Sequence, residues 1–207
     1  NKTENPMRLE LINKAFINCY LGNPSTKNYF KNIVTSSSED YTRYIFFYVN
    51  FLINNNQTNE AIEILDNLDP INNGLLLLQT KEWVENKKFD EITSIFSCKD
   101  SNHLISEFFY LISNLYSSQS EFNESNYYLN ISGFFNKKFK FNNNLIVENY
   151  FQLNDFVKTK KIVKIFKKKE KVYYWYSIKK KGLIILKEEN EDKSFEFFNK
   201  HFKDIKS

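Results

Sequence analysis

Few residues in this chain are of a type that does chemistry, so the first question is whether their spacing lets any of them cooperate. His103 and Glu107 stand four apart and can share one face of a helix. Two donors are too few to hold a metal ion, so a surface pair or a mutually satisfied polar pair is expected there. His201, the other histidine, lies on a distant segment. Cys19 and Cys98 lack Cys-x-x-Cys spacing and read as two separate buried small hydrophobes. Glu188 and Glu189 sit at a turn, where solvated helix caps are a simpler reading than an acid–base pair. No phosphate-cradling glycine loop, nucleophile elbow or His-Glu-x-x-His helix occurs. The chain therefore reads as non-catalytic, with no metal or cofactor.

Charge is the exception. Residues 155–182, DFVKTKKIVKIFKKKEKVYYWYSIKKKG, hold 11 lysines against two acids, a net +9, whereas the whole chain is only +4. Helical spacing from about residue 155 predicts that Lys160, Lys161, Lys164, Lys167, Lys168 and Lys171 share a broad basic face opposite Val163 and Phe166. The functional reading is an anionic partner: nucleic acid, an acidic protein or lipid headgroups. Tyr173 to Tyr176 (YYWY) beside the lysines resembles a stacking platform for single strands. The structural reading is a solvated outer face with those aromatics in the core. The segment holds no arginine, which bidentate phosphate or base readout prefers.

These residues must be positioned by helices. The chain has 207 residues with 42% hydrophobic and 17% aromatic content, enough to build a core, and only four Gly and three Pro. A sheet protein with tight turns would want more of both. The longest apolar runs, 44–53 and 104–112, are too short to span a bilayer. No leader peptide is visible and the first residue is Asn, so a trimmed leader or anchor is compatible with the sequence. A soluble protein is expected, with cytoplasm and periplasm both open. Asn-x-Ser/Thr sequons begin at Asn1, Asn56, Asn123 and Asn130, as chance predicts in so Asn-rich a chain.

The segment NNQTNEAIEILDNLDP, 55–70, shows how the helices are organised. A polar turn precedes a short amphipathic helix, and Asp69-Pro70 stops it. Similar half-helices occupy 90–96, 123–129, 157–163 and 192–198. Aligned on their middle residues, Ala61, Ile92, Ser125, Thr159 and Ser194, they recur at spacings of 31, 33, 34 and 35 residues. Four residues later stand Leu65, Phe96, Leu129, Val163 and Phe198. Twelve earlier stand Val49, Thr80, Ser113, Val147 and Gly182, and nine earlier Leu52, Trp83, Tyr116, Tyr150 and Ile185. Each unit thus has a longer first helix, a polar turn and a shorter second helix. A small side chain on each helix allows close approach, and a large neighbour fills the adjoining hole. Residues 5–36 form a divergent leading pair, starting at Asn5-Pro6 and broken at Gly22-Asn23-Pro24, with Ser36 to Ser38 capping the next helix.

A helix pair recurring every 31–35 residues resembles the tetratricopeptide repeat, most clearly in WVENKKFDEITSIF (83–96) and GLIILKEENEDKSFEFF (182–198), where Gly182 falls on the family's glycine. The resemblance covers residues 38–205. It implies an all-α fold, an α-α superhelix: a right-handed solenoid of antiparallel helix pairs. One domain is expected, with a divergent pair over 1–37 and five units over 38–205. The apolar stripe Phe195, Phe198, Phe202 and Ile205 on the last helix has no polar cap, so further repeats of the same chain or a homodimer contact is expected there, the chain being a fragment of a longer protein.

The function that the resemblance implies is a non-catalytic scaffold binding a peptide or protein segment on its concave face, lined by the first helix of each pair. By repeat offset that face includes Arg43, Asn50, Lys81, Tyr110, Asn114 and Tyr176. The lysine and asparagine clamp by which some family members grip a C-terminal carboxylate is incomplete, because Phe46 and Asn54 stand where lysines are needed. The alternative is binding of nucleic acid or anionic membrane through the basic 158–181 segment.

Overall fold

A computed structural model describes residues 6–35, 42–67 and 74–203. Among them every regular element is helical and no strand occurs. The expected all-α class holds. Asn5, Ser36 to Ser38, Asp69-Pro70 and Ile205, each given a role above, lie outside the described residues.

The helices are α1 (Pro6–Leu21), α2 (Thr26–Thr35), α3 (Thr42–Asn54), α4 (Thr58–Asp66), α5 (Leu75–Glu85), α6 (Phe89–Thr93), α7 (Ser101–Ser118), α8 (Phe122–Phe135), α9 (Asn143–Gln152), α10 (Phe156–Ile162), α11 (Lys171–Glu188) and α12 (Glu191–Lys203). Two 3₁₀ turns, Lys140–Asn142 and Val163–Ile165, precede α9 and follow α10. Neighbours in sequence pack on each other: α1 with α2, α3 with α4, α5 with α6, α9 with α10 and α11 with α12. Side-chain contacts join α7 to α8, Ser106 meeting Ser132 and Tyr116 stacking on Tyr128.

One turn builds most of these pairs. The first helix ends in a residue of left-handed backbone, Gly22, Asn56, Lys87, Ser120 or Asn154, with φ between 55° and 73°. The next amide donates five residues back: Asn23 to Asn18, Gln57 to Leu52, Lys88 to Trp83, Glu121 to Tyr116 and Asp155 to Tyr150, all within 3.0 Å. The left-handed residue itself donates three back, closing a Schellman motif that satisfies carbonyls the helix end would otherwise orphan. Asn56, Lys87, Ser120 and Asn154 recur at 31, 33 and 34 residues, the intervals of the sequence columns.

The column of middle residues and the one twelve earlier are interior. Ala61, Ile92, Ser125 and Thr159 are fully buried, and Ser194 nearly so. Val49, Thr80, Ser113, Val147 and Gly182 are buried on the partner helices. Where α11 meets α12, Ser194 Oγ donates to the Gly182 carbonyl at 2.9 Å, and a Cβ on Gly182 would collide with the Phe198 ring. The Phe198 ring fills the space that a side chain at 182 would need.

The chain divides into two compact units, the first of residues 1–109 and 131–139, the second of 110–130 and 140–207. In the first unit α3 is central. It packs on α2, α4, α5 and α6, and Tyr44 to Val49 are all buried, as a helix apolar on every side requires. Phe47 joins Phe96 (centroids 4.5 Å) and Phe16 (5.2 Å), and Phe46 meets Phe139 at 5.5 Å. Asn50, inside this core, donates to the Ile92 and Phe96 carbonyls, so α6 stops at Thr93, before the expected residue 96, with its end satisfied.

The two cysteines correct the sequence reading. Cys19 on α1 and Cys98 after α6 form a disulfide with Cα atoms 5.8 Å apart, inside the usual range. Seventy-nine residues separate them, and only the packing of α1 in the first unit brings them together.

In the second unit Asn149, fully buried, accepts from Ser117 Oγ at 2.7 Å and donates to Ser125 Oγ and Asn126 Oδ1 at 2.8 and 2.9 Å. Three helices, α7, α8 and α9, share that amide.

Candidate functional site

The residues expected on a concave face divide sharply. In the first unit the Arg43 guanidinium is bidentate to Glu107, at 2.6 and 2.5 Å, and lies over the Phe47 and Phe139 rings. Glu107 is almost fully buried, and burial pushes its carboxyl above the usual range while Arg43 pulls it back. This is an internal ion pair, broken only at the cost of a buried charge. Asn50 is 2% exposed and, as above, committed to two carbonyls. Lys81 is half-buried and reaches the Leu65 carbonyl at 3.3 Å, with Asp66 at 3.8 Å.

In the second unit Tyr176 is buried. Its hydroxyl donates to Glu148 at 2.8 Å and meets the Asn144 carbonyl at 3.2 Å, and burial, then Glu148, raises its pKa. Tyr110 is half-buried and Asn114 is exposed. Arg43, Asn50 and Tyr176 are thus spent inside the fold; equal repeat offset does not ensure equal exposure.

The histidine question resolves similarly. Glu107 turns to Arg43, not to His103. His103 Nδ1 accepts from the Ser97 amide at 3.0 Å and its ring stacks on Phe96. Burial holds its pKa below the ordinary histidine value, ahead of the opposing pull of Asp100.

The basic segment does not form one helical face. α10 ends at Ile162, a 3₁₀ turn follows, Phe166 is extended, and α11 begins only at Lys171. Two buried side chains force the break. Phe166 is inside, 5.0 Å from Tyr173 between ring centroids. Glu170, 2% exposed, accepts from the Lys167 amide and from Lys140 Nζ, both at 2.9 Å. The six lysines are nonetheless all exposed, spread over α10, the turn, the loop and the start of α11.

Their partners differ. Lys158 pairs with Asp155 at 2.9 Å, Lys160 with Glu188 at 2.5 Å, and Lys180 with Glu148 at 2.5 Å. Among the described residues no carboxylate lies within 4 Å of Lys161, Lys164 or Lys168. Lys181, half-buried on α11, has its pKa lowered by burial and then by Lys164. Tyr173 and Tyr176 are core residues, which removes half of the supposed stacking platform.

Between α11 and α12 an apolar cleft of about 280 Å³ is lined by Trp175, Ile178, Lys179, Phe195, Phe198, Asn199 and Phe202. Of the stripe expected on the last helix, Phe195 is 65% and Phe202 56% exposed, whereas Phe198 is partly covered against Gly182. Among the described residues no helix is long and apolar enough to cross a membrane, and no group of three or more His, Cys, Asp or Glu is placed to hold a metal ion.

No family model matches this chain, and neither the curated proteins nor the solved structures include one similar to it. Among the described residues the regular structure is helical throughout, arranged in sequential pairs most of which share one turn.

Proposed function

We propose that this chain is a non-catalytic helical-repeat scaffold, a right-handed solenoid of tetratricopeptide-like hairpins, that binds a peptide or protein segment along the first helices of its pairs. The observation that supports it is the recurrence of one left-handed turn at 31, 33 and 34 residues, with buried residues, small except for Ile92, at fixed offsets on both sides. A module that repeats in this way buries its apolar face against its neighbours and leaves an extended surface for a partner. Asn114 is exposed and available to that surface. The Cys19–Cys98 link favours the oxidising one of the two compartments left open by the sequence.

The test is selection from a random-peptide display library on the immobilised chain, followed by hydrogen-exchange mapping of the best peptide. Slowed exchange in α3, α5, α7, α9 or α11 is expected, with Asn114→Ala weakening binding by roughly threefold or more, the size of one lost neutral hydrogen bond. Failure to enrich any peptide, or protection confined to the second helices, would contradict the reading.

A further inference from the structure

We infer that the lysine surface formed by Lys161, Lys164 and Lys168 is a docking site for an acidic polypeptide segment. This rests on the scaffold reading and names the chemistry of its partner. The three ammonium groups come from the end of α10, the 3₁₀ turn and the loop before α11, and all are exposed. The flanking lysines 158, 160 and 180 are each paired with a carboxylate, whereas among the described residues none lies within 4 Å of these three. The one carboxylate of the loop cannot swing out to serve them, because Glu170 is buried and holds the Lys167 amide and the Lys140 ammonium.

The surface is also held in place. Phe166 anchors the loop against Tyr173 and Tyr176, and Lys167 Nζ closes on the Lys164 carbonyl at 2.8 Å. Burial, and after it the Lys164 charge, lowers the Lys181 pKa, so an anion bound at Lys164 also eases the Lys181 ammonium.

Three features favour carboxylates over phosphates. The segment has no arginine to grip phosphate bidentately. Tyr173 and Tyr176 are buried, so two of the four aromatic rings at 173–176 are closed to stacking bases. Flexible ammonium point charges suit an irregular row of Asp and Glu side chains.

The experiment is fluorescence anisotropy with a labelled twelve-residue oligoglutamate at low salt, alongside a thymidine 12-mer and phosphatidylserine vesicles. The peptide is expected to bind, and Lys161→Glu/Lys164→Glu/Lys168→Glu to weaken it about tenfold or more, with circular dichroism unchanged. Reversing three other exposed lysines, Lys87, Lys137 and Lys200, is expected to cost less than about threefold, and 0.3 M salt to weaken binding by about tenfold. No peptide binding at low salt, or equal losses in the two triple variants, overturns the proposal. Tighter binding of the thymidine strand or the vesicles than of the peptide also overturns it and reassigns the surface to nucleic acid or membrane. If display selection yields neutral peptides while oligoglutamate fails, the acidic partner is excluded and the scaffold stands.

Discussion

Asn50, Asn136 and Asn149 show what the buried asparagines are for. Asn50 ends α6, Asn136 donates to the Ile95 carbonyl at 2.9 Å, and Asn149 ties three helices. Each supplies a partner to a polar group that burial would otherwise leave unpaired. The sequence marks such residues only as polar; their burial is a tertiary fact. Cys19 and Cys98 were illegible for the same reason, since two cysteines 79 apart carry no motif. His103 yields a prediction at this scale. The folded state prefers the neutral ring, because burial disfavours the imidazolium by more than the nearby Asp100 carboxylate favours it. The folded pKa thus lies below the unfolded one, so between the two the unfolded chain binds more protons. Stability from this residue is full above the ordinary histidine pKa and is lost as pH falls through the folded value. Urea unfolding at pH 7.5 and 5.5 should show lower stability at the acid pH, and His103→Gln, which keeps an acceptor but does not titrate, should reduce the difference. An unchanged difference in the variant would remove His103 from the account.

Helices and turns were the legible level. α1 and α2 lie where Pro6 and the Gly22-Asn23-Pro24 break indicate, and each later pair shows the long-then-short pattern of the columns. The left-handed residues were only partly readable. Asn56 and Asn154 are of a type that tolerates φ > 0, whereas Lys87 and Ser120 are not, and adopt it because the motif around them fixes the chain. The lysine segment misled because its i, i+3, i+4 spacing continues through a break set by Phe166 and Glu170, two side chains whose burial periodicity does not encode. Gly182 gives the prediction at this scale. Gly182→Ala places a methyl against the Phe198 ring and should destabilise by about 1–3 kcal/mol in urea unfolding, despite alanine's higher helix propensity. Adding Phe198→Ala should recover part of that loss, so that the two costs are not additive. A stabilising Gly182→Ala would mean that α11 and α12 do not meet as closely as described.

At the scale of the whole molecule, the proposed solenoid requires that successive helix pairs stack in order as copies of one module. Asn55, Asn86, Gln119, Leu153 and Glu188 occupy the same place, six residues before the small column, and all are exposed. With Cys19 and Cys98 paired and no free cysteine present, single labels can be placed there selectively. Pulsed electron–electron resonance on pairs of spin-labelled cysteines at these five sites measures the stacking directly. A solenoid predicts similar distances for all adjacent sites and longer ones as the sites stand two, three and four modules apart. Distances that bear no order to the number of intervening modules would contradict the claim, and with it the scaffold function built on it.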